Sequence, residues 1–330
     1  MSRAAKTPGV AKLELARKKP PRRVATKDFL SILDLSHDEL ESVLELAAEM
    51  KRERAAGRSG AQPLARMHVA LLFEKPSLRT RTTSVIAVRE LGGEVIEPAA
   101  EVALGGRETV EDVARNLERW VSAAIVRTFG QERLSRFAGA AQDLHVVNAL
   151  TDEEHPCQAL ADMLTLQEKL GTLAGRTIAF VGDGNNVAAS LAQAGAMLGV
   201  SVRVASPKGY ELPAAVVQAA QNVARQGATV TVTNDAVEAV SGADAVYTDV
   251  WASMGQEDQI DARDVIFRPY QVNETLMASA GSGALFMHCL PAHRGDEVTD
   301  GVMDAKTSVV FDQAENRLHT QKALLATLLD

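Results

Sequence analysis

The densest cluster of chemistry-bearing residues is Phe73-Glu74-Lys75-Pro76-Ser77-Leu78-Arg79-Thr80-Arg81, where hydroxyls and guanidinium groups crowd the point at which an apolar run gives way to helical spacing. Backbone N–H groups, a helix dipole and planar guanidinium forks at a helix N-terminus all favour an anion, so the stretch reads as a phosphate cradle. A capped helix with solvated arginines is the competing reading. A second cluster, His155-Pro156-Cys157-Gln158 with Asp162 beyond it, enters another helix. Its His and Gln stand three apart on one helix face, and a neutral imidazole there could polarise a carbonyl oxygen, although taken alone it could equally be a packing residue at a helix start. No second His, Cys or carboxylate stands at ligand spacing in the strand–helix context that structural zinc requires, so no metal is expected.

Later stretches add further groups. Gly182-Asp183-Gly184-Asn185-Asn186-Val187 follows an apolar run and opens a helix, the setting of a dinucleotide loop. Val187 replaces the third glycine of that fingerprint, however, and Arg203-Val204-Ala205-Ser206-Pro207 offers no acid for a ribose, so neither NAD nor any other cofactor is expected. Asp249-Val250-Trp251-Ala252-Ser253-Met254-Gly255-Gln256 sets a carboxylate near a hydroxyl and a glycine turn, a combination that could receive an amino acid. His288-Cys289-Leu290-Pro291 puts a thiol at the end of a strand instead of inside the core, against the usual inert burial of a free cysteine. In Asp312-Gln313-Ala314-Glu315-Asn316-Arg317 the arginine could reach an anion or form a surface pair.

The elements that must position these groups alternate. Ser36 with Glu39 forms a capping-box pattern ahead of a helix to about Arg54. Strands are expected at Val69–Phe73, Ala123–Val126, Val146–Val147, Thr177–Val181, Ser201–Ala205, Thr229–Val232, Ala245–Thr248, Ala284–Met287 and Ser308–Phe311. Helical spacing fills most of the gaps, from about Arg79 to Leu91, at Gln131–Ala140 and from Pro156 to about residue 170. This alternation predicts two doubly wound, parallel-sheet α/β domains joined by interdomain helices, with ligands outside the strand C-termini. The division runs 27–150 for the first domain and 151–312 for the second, with a C-terminal helix at 313–330 packing back on the first domain.

A chain of 330 residues has length for two such domains. At 46% hydrophobic and 24% charged it is an ordinary globular composition, neither fibrous nor disordered. The uncharged, apolar-biased stretch Val187 to Val202 contains Ser and Gln and falls short of the roughly 18–20 apolar residues of a membrane span. Two cysteines and no apolar secretory leader suit a reducing, cytoplasmic compartment. Residues 1–26 read as a basic disordered arm, with a targeting peptide or a binding arm as alternatives. Met1 to Ala25 carries eight basic residues against Glu14 alone, a net charge of +7, so with −8 overall the rest of the chain holds −15. A body that acidic argues against nucleic acid as a partner.

Taken together, these six stretches, in this order and spacing, resemble the aspartate/ornithine transcarbamylase family from about Lys27 to Leu329. The Ser-x-Arg-Thr-Arg and His-Pro-x-Gln elements are common to the family, whereas Asp-x-Trp-x-Ser-Met-Gly and His-Cys-Leu-Pro mark its ornithine-type members. The resemblance implies transfer of a carbamoyl group from carbamoyl phosphate to the δ-amine of L-ornithine. It implies phosphate binding by Ser77, the Leu78 backbone, Arg79 and Thr80, with Arg127 bridging phosphate and carbonyl oxygens. His155, Pro156, Cys157 and Gln158 would complete that cradle, and Arg317 would contact the carbamoyl group. Asn185, Asp249, Ser253 and Met254 would bind ornithine's α-substituents. Cys289 and the Leu290 carbonyl, with Asp249, would orient the amine. The catalytic set is then Arg79, Arg127, His155, Asp249 and Cys289.

The chain departs from the family pattern twice. Thr83-Ser84-Val85 stands where a Ser/Thr-Phe-Glu run is usual. Ala103 replaces a Gln ahead of Leu104-Gly105-Gly106-Arg107-Glu108, a loop that in the family reaches the neighbouring subunit's site, so Arg107 is the candidate substitute. The family's assembly implies a homotrimer or a multiple of trimers. The nearest rival activity uses putrescine or an acylated ornithine, against which the polar Ser253-Met254-Gly255 turn argues; a non-catalytic amino-acid-binding homologue is the rival from another class.

Overall fold

The computed structural model describes residues 23–58, 60–99, 104, 106–252 and 260–329. The arm expected at 1–26 thus falls almost wholly outside the described residues. Helix α1 (His37–Ala55) opens on a capping box in which Ser36 Oγ accepts from the Glu39 N–H and the Glu39 carboxylate accepts from the Ser36 N–H. There follow β1 (His68–Phe73), α2 (Leu78–Glu90), β2 (Glu94–Ile96), α3 (Val110–Leu117), β3 (Ala123–Arg127), α4 (Gln131–Ala140) and β4 (His145–Leu150). The four strands form one parallel sheet in the order β2-β1-β3-β4. Val69 to Leu72 and all of β3 are buried, because a parallel sheet covered on both faces needs unbroken apolar strands.

Helix α5 (Pro156–Leu170), with Pro156 in its first turn, leads to the second unit. That unit holds β5 (Thr177–Val181), α6 (Asn186–Met197), β6 (Ser201–Ala205), α7 (Ala214–Asn222), β7 (Val230–Thr233), α8 (Ala236–Val240), β8 (Ala245–Thr248), α9 (Ile260–Phe267), α10 (Glu274–Met277), β9 (Leu285–His288) and α11 (Asp300–Met303). Its parallel sheet runs β7-β6-β5-β8-β9. Helix α12 (Val310–Leu328) then returns to pack on α5, α1 and α2, and the Val24 N–H donates to the Thr327 carbonyl at 3.1 Å.

Two parallel-sheet α/β units therefore stand as expected, with one strand corrected. Ser308–Phe311 is not a strand: Ser308 makes one isolated bridge to Phe286, and the chain enters α12 at Val310. A four-residue apolar run carries no periodicity that separates strand from the first turn of a buried helix. The sequence reading also passed over β2 and α3.

In each sheet the strand order reverses once, between β1 and β3 in the first and between β5 and β8 in the second. Connections leaving the carboxyl ends of neighbouring strands part there and open a crevice. The Ser77 loop follows β1, Arg127 ends β3, the Gly182 loop follows β5 and Asp249 follows β8. Both crevices thus supply walls to a single cavity.

Candidate active site

A cavity of about 860 Å³ lies between the two sheets, lined by Ser77, Leu78, Arg79, Thr80, Arg127, His155 and Arg317 on one side and by Asn185, Asp249, Cys289 and Leu290 on the other. Ser77 caps α2, its Oγ accepting from the Thr80 N–H at 3.2 Å, so the first turn of the helix opens toward the cavity. Leu78 is 78% exposed at the rim. Arg317 is buried on α12 and donates from Nη1 to Gln158 Oε1 at 3.0 Å and from Nη2 to Thr80 Oγ1.

This side of the cavity is a concentration of buried donors short of acceptors. Arg127 Nε, Arg317 Nε and His155 Nδ1 are buried with no partner among the described residues. Burial pushes the Arg127 guanidinium down to about 10, with Arg317 adding repulsion. Burial also lowers Arg79 and Arg317. His155 is held well below the usual imidazole range by burial first and then by Arg317 and Arg127, so its ring is neutral at neutral pH. Buried charge without counter-charge is costly, and a multiply charged oxyanion is the group that would relieve it.

The opposite wall is acidic. Asp249 Oδ2 accepts from Asn185 Nδ2 at 2.8 Å, and Oδ1 accepts from the Cys289 thiol at 3.0 Å and from the Val250 N–H at 2.8 Å. Asn185 Oδ1 also caps α6, accepting from the Val187 and Ala188 N–H groups. Burial, then the Asp249 charge, pushes the Cys289 thiol well above its usual range, so it is a hydrogen-bond donor here and not a thiolate. The glycine that suggested a dinucleotide loop answers to packing instead. A Cβ on Gly184 would meet the Leu212 backbone N at 2.3 Å, so the β5–α6 turn is pressed against protein.

Leu290 has a left-handed φ of 60°, a backbone conformation that costs a branched residue about 1 kcal/mol or more. It is held by the neighbouring imidazole: the Leu290 N–H donates to His288 Nδ1 at 2.9 Å, so the ring's proton sits on Nε2 and is given to Glu297 at 3.0 Å. Glu297 also accepts the His293 N–H at 2.6 Å, and both His288 and Glu297 are fully buried. Glu297→Ala leaves two donors without an acceptor. It is expected to cost about 2–6 kcal/mol, at about 1–3 kcal/mol for each buried donor so exposed, read as a lower urea midpoint with an unchanged m-value.

Other residues named from sequence sit elsewhere. Pro156 and Cys157 are buried behind the wall, where Cys157 donates to the Asn148 carbonyl at 3.3 Å and burial raises its thiol to about 12. Gln158 is reached through Arg317. Ser253, Met254 and Ala103 lie outside the described residues, and Arg107 is exposed and lines no part of this cavity. At the departure in α2, Ser84 is buried with its Oγ 3.5 Å from Gln321 Oε1, and Val85 packs on the core. Asp249, His288 and Cys289 bring ligand-type atoms within 4.8 Å of one another, yet both imidazole nitrogens, the thiol and the carboxylate are engaged in the hydrogen bonds just described.

The structure adds lining groups that spacing did not point to. Lys75 is buried against Asp152 in an ion pair and lies 4.4 Å above the Phe129 ring. Arg263 pairs with Asp183 at 2.6 Å and donates to the Trp251 carbonyl at 2.7 Å, tying the end of β5 to the Asp249–Trp251 turn. Only Lys75 carried a local signal, as part of the Phe73–Arg81 stretch; Arg263 stands 80 residues from its partner.

Comparison with known proteins meets this geometry. Residues 27–168 match the family model for the aspartate/ornithine carbamoyltransferase carbamoyl-P binding domain, and residues 174–328 match that for its Asp/Orn binding domain. The chain is 50% identical over 309 residues to an ornithine carbamoyltransferase of Parafrankia sp., covering 93% of this chain and 97% of the relative. It is 50% identical over 306 residues to one from Acidothermus cellulolyticus, covering 92% and 97%. Among solved structures, ornithine carbamoyltransferase from Pyrococcus furiosus superposes with a TM-score of 0.88 at 45% identity, covering 94% of this chain and 97% of that one. With both halves matched in order and the likeness spanning nearly the full length, the chain belongs to the aspartate/ornithine carbamoyltransferase family.

Proposed function

We propose that this protein transfers the carbamoyl group of carbamoyl phosphate to the δ-amine of L-ornithine, giving L-citrulline and phosphate. The observation that carries this reading is the two-sided cavity, with buried guanidinium groups starved of anions facing an Asp249–Cys289 pair across the cleft. Ser77, the Leu78 backbone, Arg79 and Thr80 take the phosphate, and Arg127 spans phosphate and carbonyl oxygens. His155, as a neutral donor, and Arg317 polarise the carbonyl, while Gln158, with Pro156 and Cys157 shaping the turn, completes the cradle. Asn185, Asp249, Ser253 and Met254 take the amino acid's head group. Cys289, the Leu290 carbonyl and Asp249 orient the δ-amine.

An alkyl amine with a pKa near 10.4 is neutral in only about 1 part in 2,500 at pH 7, and only that form attacks. Arg79, Arg127 and Arg317 disfavour a further cation in the cleft and so favour loss of the proton. The amine nitrogen then bonds to the carbonyl carbon, negative charge builds on the carbonyl oxygen, and preorganised donors stabilise it. The bond to the phosphate oxygen breaks last, and the departing phosphate takes the second amine proton. The two free thiols, Cys157 and Cys289, fit the cytoplasm as the compartment.

Purified protein supplied with carbamoyl phosphate and, in parallel, ornithine, putrescine, N-acetylornithine and aspartate is expected to form product rapidly with ornithine alone. Product from a different amine would reassign the acceptor, and binding of carbamoyl phosphate without any product would favour a binding protein. A homotrimer sharing its sites is proposed as the assembly, with Arg107 reaching a neighbour's carbamoyl phosphate. Chains carrying Arg79→Ala mixed with chains carrying Arg107→Ala are expected to recover activity above either parent; no recovery would sink the shared site.

A further inference from the structure

Behind the cavity wall, Asp162 of α5 is fully buried and lines no part of the cavity. Its Oδ1 accepts from the Gln158 side-chain amide at 2.7 Å and from the Gln313 side-chain amide, on α12, at 2.9 Å. A carboxylate only accepts, so each amide must turn its NH2 group toward Asp162 and its oxygen away. The Gln158 oxygen then receives Arg317 at 3.0 Å, and Arg317 reaches on to Thr80 at the start of α2. The Gln313 oxygen receives the backbone N–H of His288 at 3.0 Å, one residue before Cys289. A single carboxylate therefore fixes the orientation of two amides, one serving the first sheet's side of the cavity and the other serving the second sheet's side.

The cost of this arrangement is visible in the group itself. Asp162 has no ion-pair partner among the described residues, the buried Tyr247 hydroxyl is the remaining polar group beside it and sits outside regular hydrogen-bond geometry, and burial raises its carboxyl to about 6. A core built for stability alone would hold an apolar side chain here.

We propose that Asp162 and Gln313 are positioning residues that couple the two halves of the site, Asp162 holding Arg317 through Gln158, and Gln313 holding Cys289 through the His288 backbone. This rests on the assignment of carbamoyl phosphate to the guanidinium side and of ornithine to the Asp249–Cys289 side. Gln313→Leu removes the acceptor of the His288 N–H and leaves the Gln158 contact in place. It raises KM for ornithine about tenfold and changes KM for carbamoyl phosphate less than about twofold. Asp162→Ala releases both amides and raises both KM values about tenfold or more. Asp162→Asn keeps an acceptor oxygen and recovers most of the loss, and where the alanine variant does not fold, Gln313→Leu alone decides the question.

The experiment is steady-state citrulline formation by the full-length protein with each substrate varied in turn, beside a thermal melt of every variant. The split between substrates, together with rescue by Asp162→Asn, supports the coupling. Folded Gln313→Leu with a KM for ornithine within twofold of the wild type, or folded Asp162→Ala with both KM values within twofold, and only a lower melting temperature, would overturn it. A wild-type protein that makes no citrulline would instead strike at the functional reading beneath.

Discussion

Arg127→Met is expected to lose about 10³ in kcat/KM for carbamoyl phosphate while the protein stays folded and, without anion, becomes more stable. Removing one preorganised donor from an oxyanion site costs about 10²–10³, and Arg127 supplies full charge as well as donors. The stability gain follows from where that charge sits. Arg127 is 7% exposed, its Nε has no hydrogen-bond partner among the described residues, and burial with Arg317 nearby brings its guanidinium down to about 10. A base whose affinity for protons is lower in the folded state carries that penalty in full at every pH below both values, and sheds it only as pH rises through about 10. At 1.36 kcal/mol per tenfold change in proton affinity the penalty reaches about 3 kcal/mol, and methionine keeps most of the apolar stem, so a gain of about 1–3 kcal/mol is expected at pH 7. Carbamoyl phosphate at about 100 times its dissociation constant stabilises the wild type by about 2.7 kcal/mol. The variant's melting temperature should not move with it. Turnover within tenfold of wild type, or a retained shift with carbamoyl phosphate, would contradict this account of Arg127.

Asp249→Asn tests the other wall. Removing one partner of a desolvated charge contact costs about 3–5 kcal/mol, so kcat/KM for ornithine is expected to fall about 10²–10³ or more, while the carbamoyl phosphate dissociation constant holds. A second readout has a fixed sign. Asp249 is the largest cause after burial of the raised Cys289 thiol, through its charge and as the acceptor of the S–H bond. Taking the charge away lowers the thiol toward its usual range, increases the thiolate fraction at pH 8, and speeds alkylation of Cys289 by iodoacetamide. Cys157, raised to about 12 and 1% exposed, should stay unlabelled in both proteins and serves as the internal reference. Slower or unchanged alkylation of Cys289 would show that burial alone governs the thiol.

Much of the fold was legible where strands are short, apolar and bounded by turns. Thr177–Val181, Ser201–Ala205 and Ala245–Thr248 run residue for residue as their composition implies. Ser308–Phe311 was misread because its apolar residues serve a helix that buries most of its length, and β2 escaped because three residues at a sheet edge carry no pattern. The site was legible to the extent that its residues lie beside strand ends. Ser77, Arg79, Arg127, Asn185, Asp249 and Cys289 all flank strand termini and converge on one cavity. What spacing could not supply is distance in the fold. Arg317 meets Thr80 across 237 residues, and Asp162 meets Gln313 across 151, contacts that depend on how α12 docks and not on any local motif. Only the resemblance ordered those pieces beforehand, and even it said nothing of Gln313 or Arg263.

The return of α12 sets a timetable for the newborn protein. A ribosome delivers the first sheet early, and domains fold as they emerge. Yet Arg317, which closes the anion side beside α2, is translated only after every strand of the second sheet. A nascent chain can therefore assemble the Ser77 loop and Arg127 but not a finished cradle, and the apolar faces of α1, α2 and α5 wait uncovered for the helix that seals them. Competence to hold substrate arrives with the last helix of the fold, so a product cut short ahead of Arg317 would be idle and sticky, a natural target for chaperones and proteases.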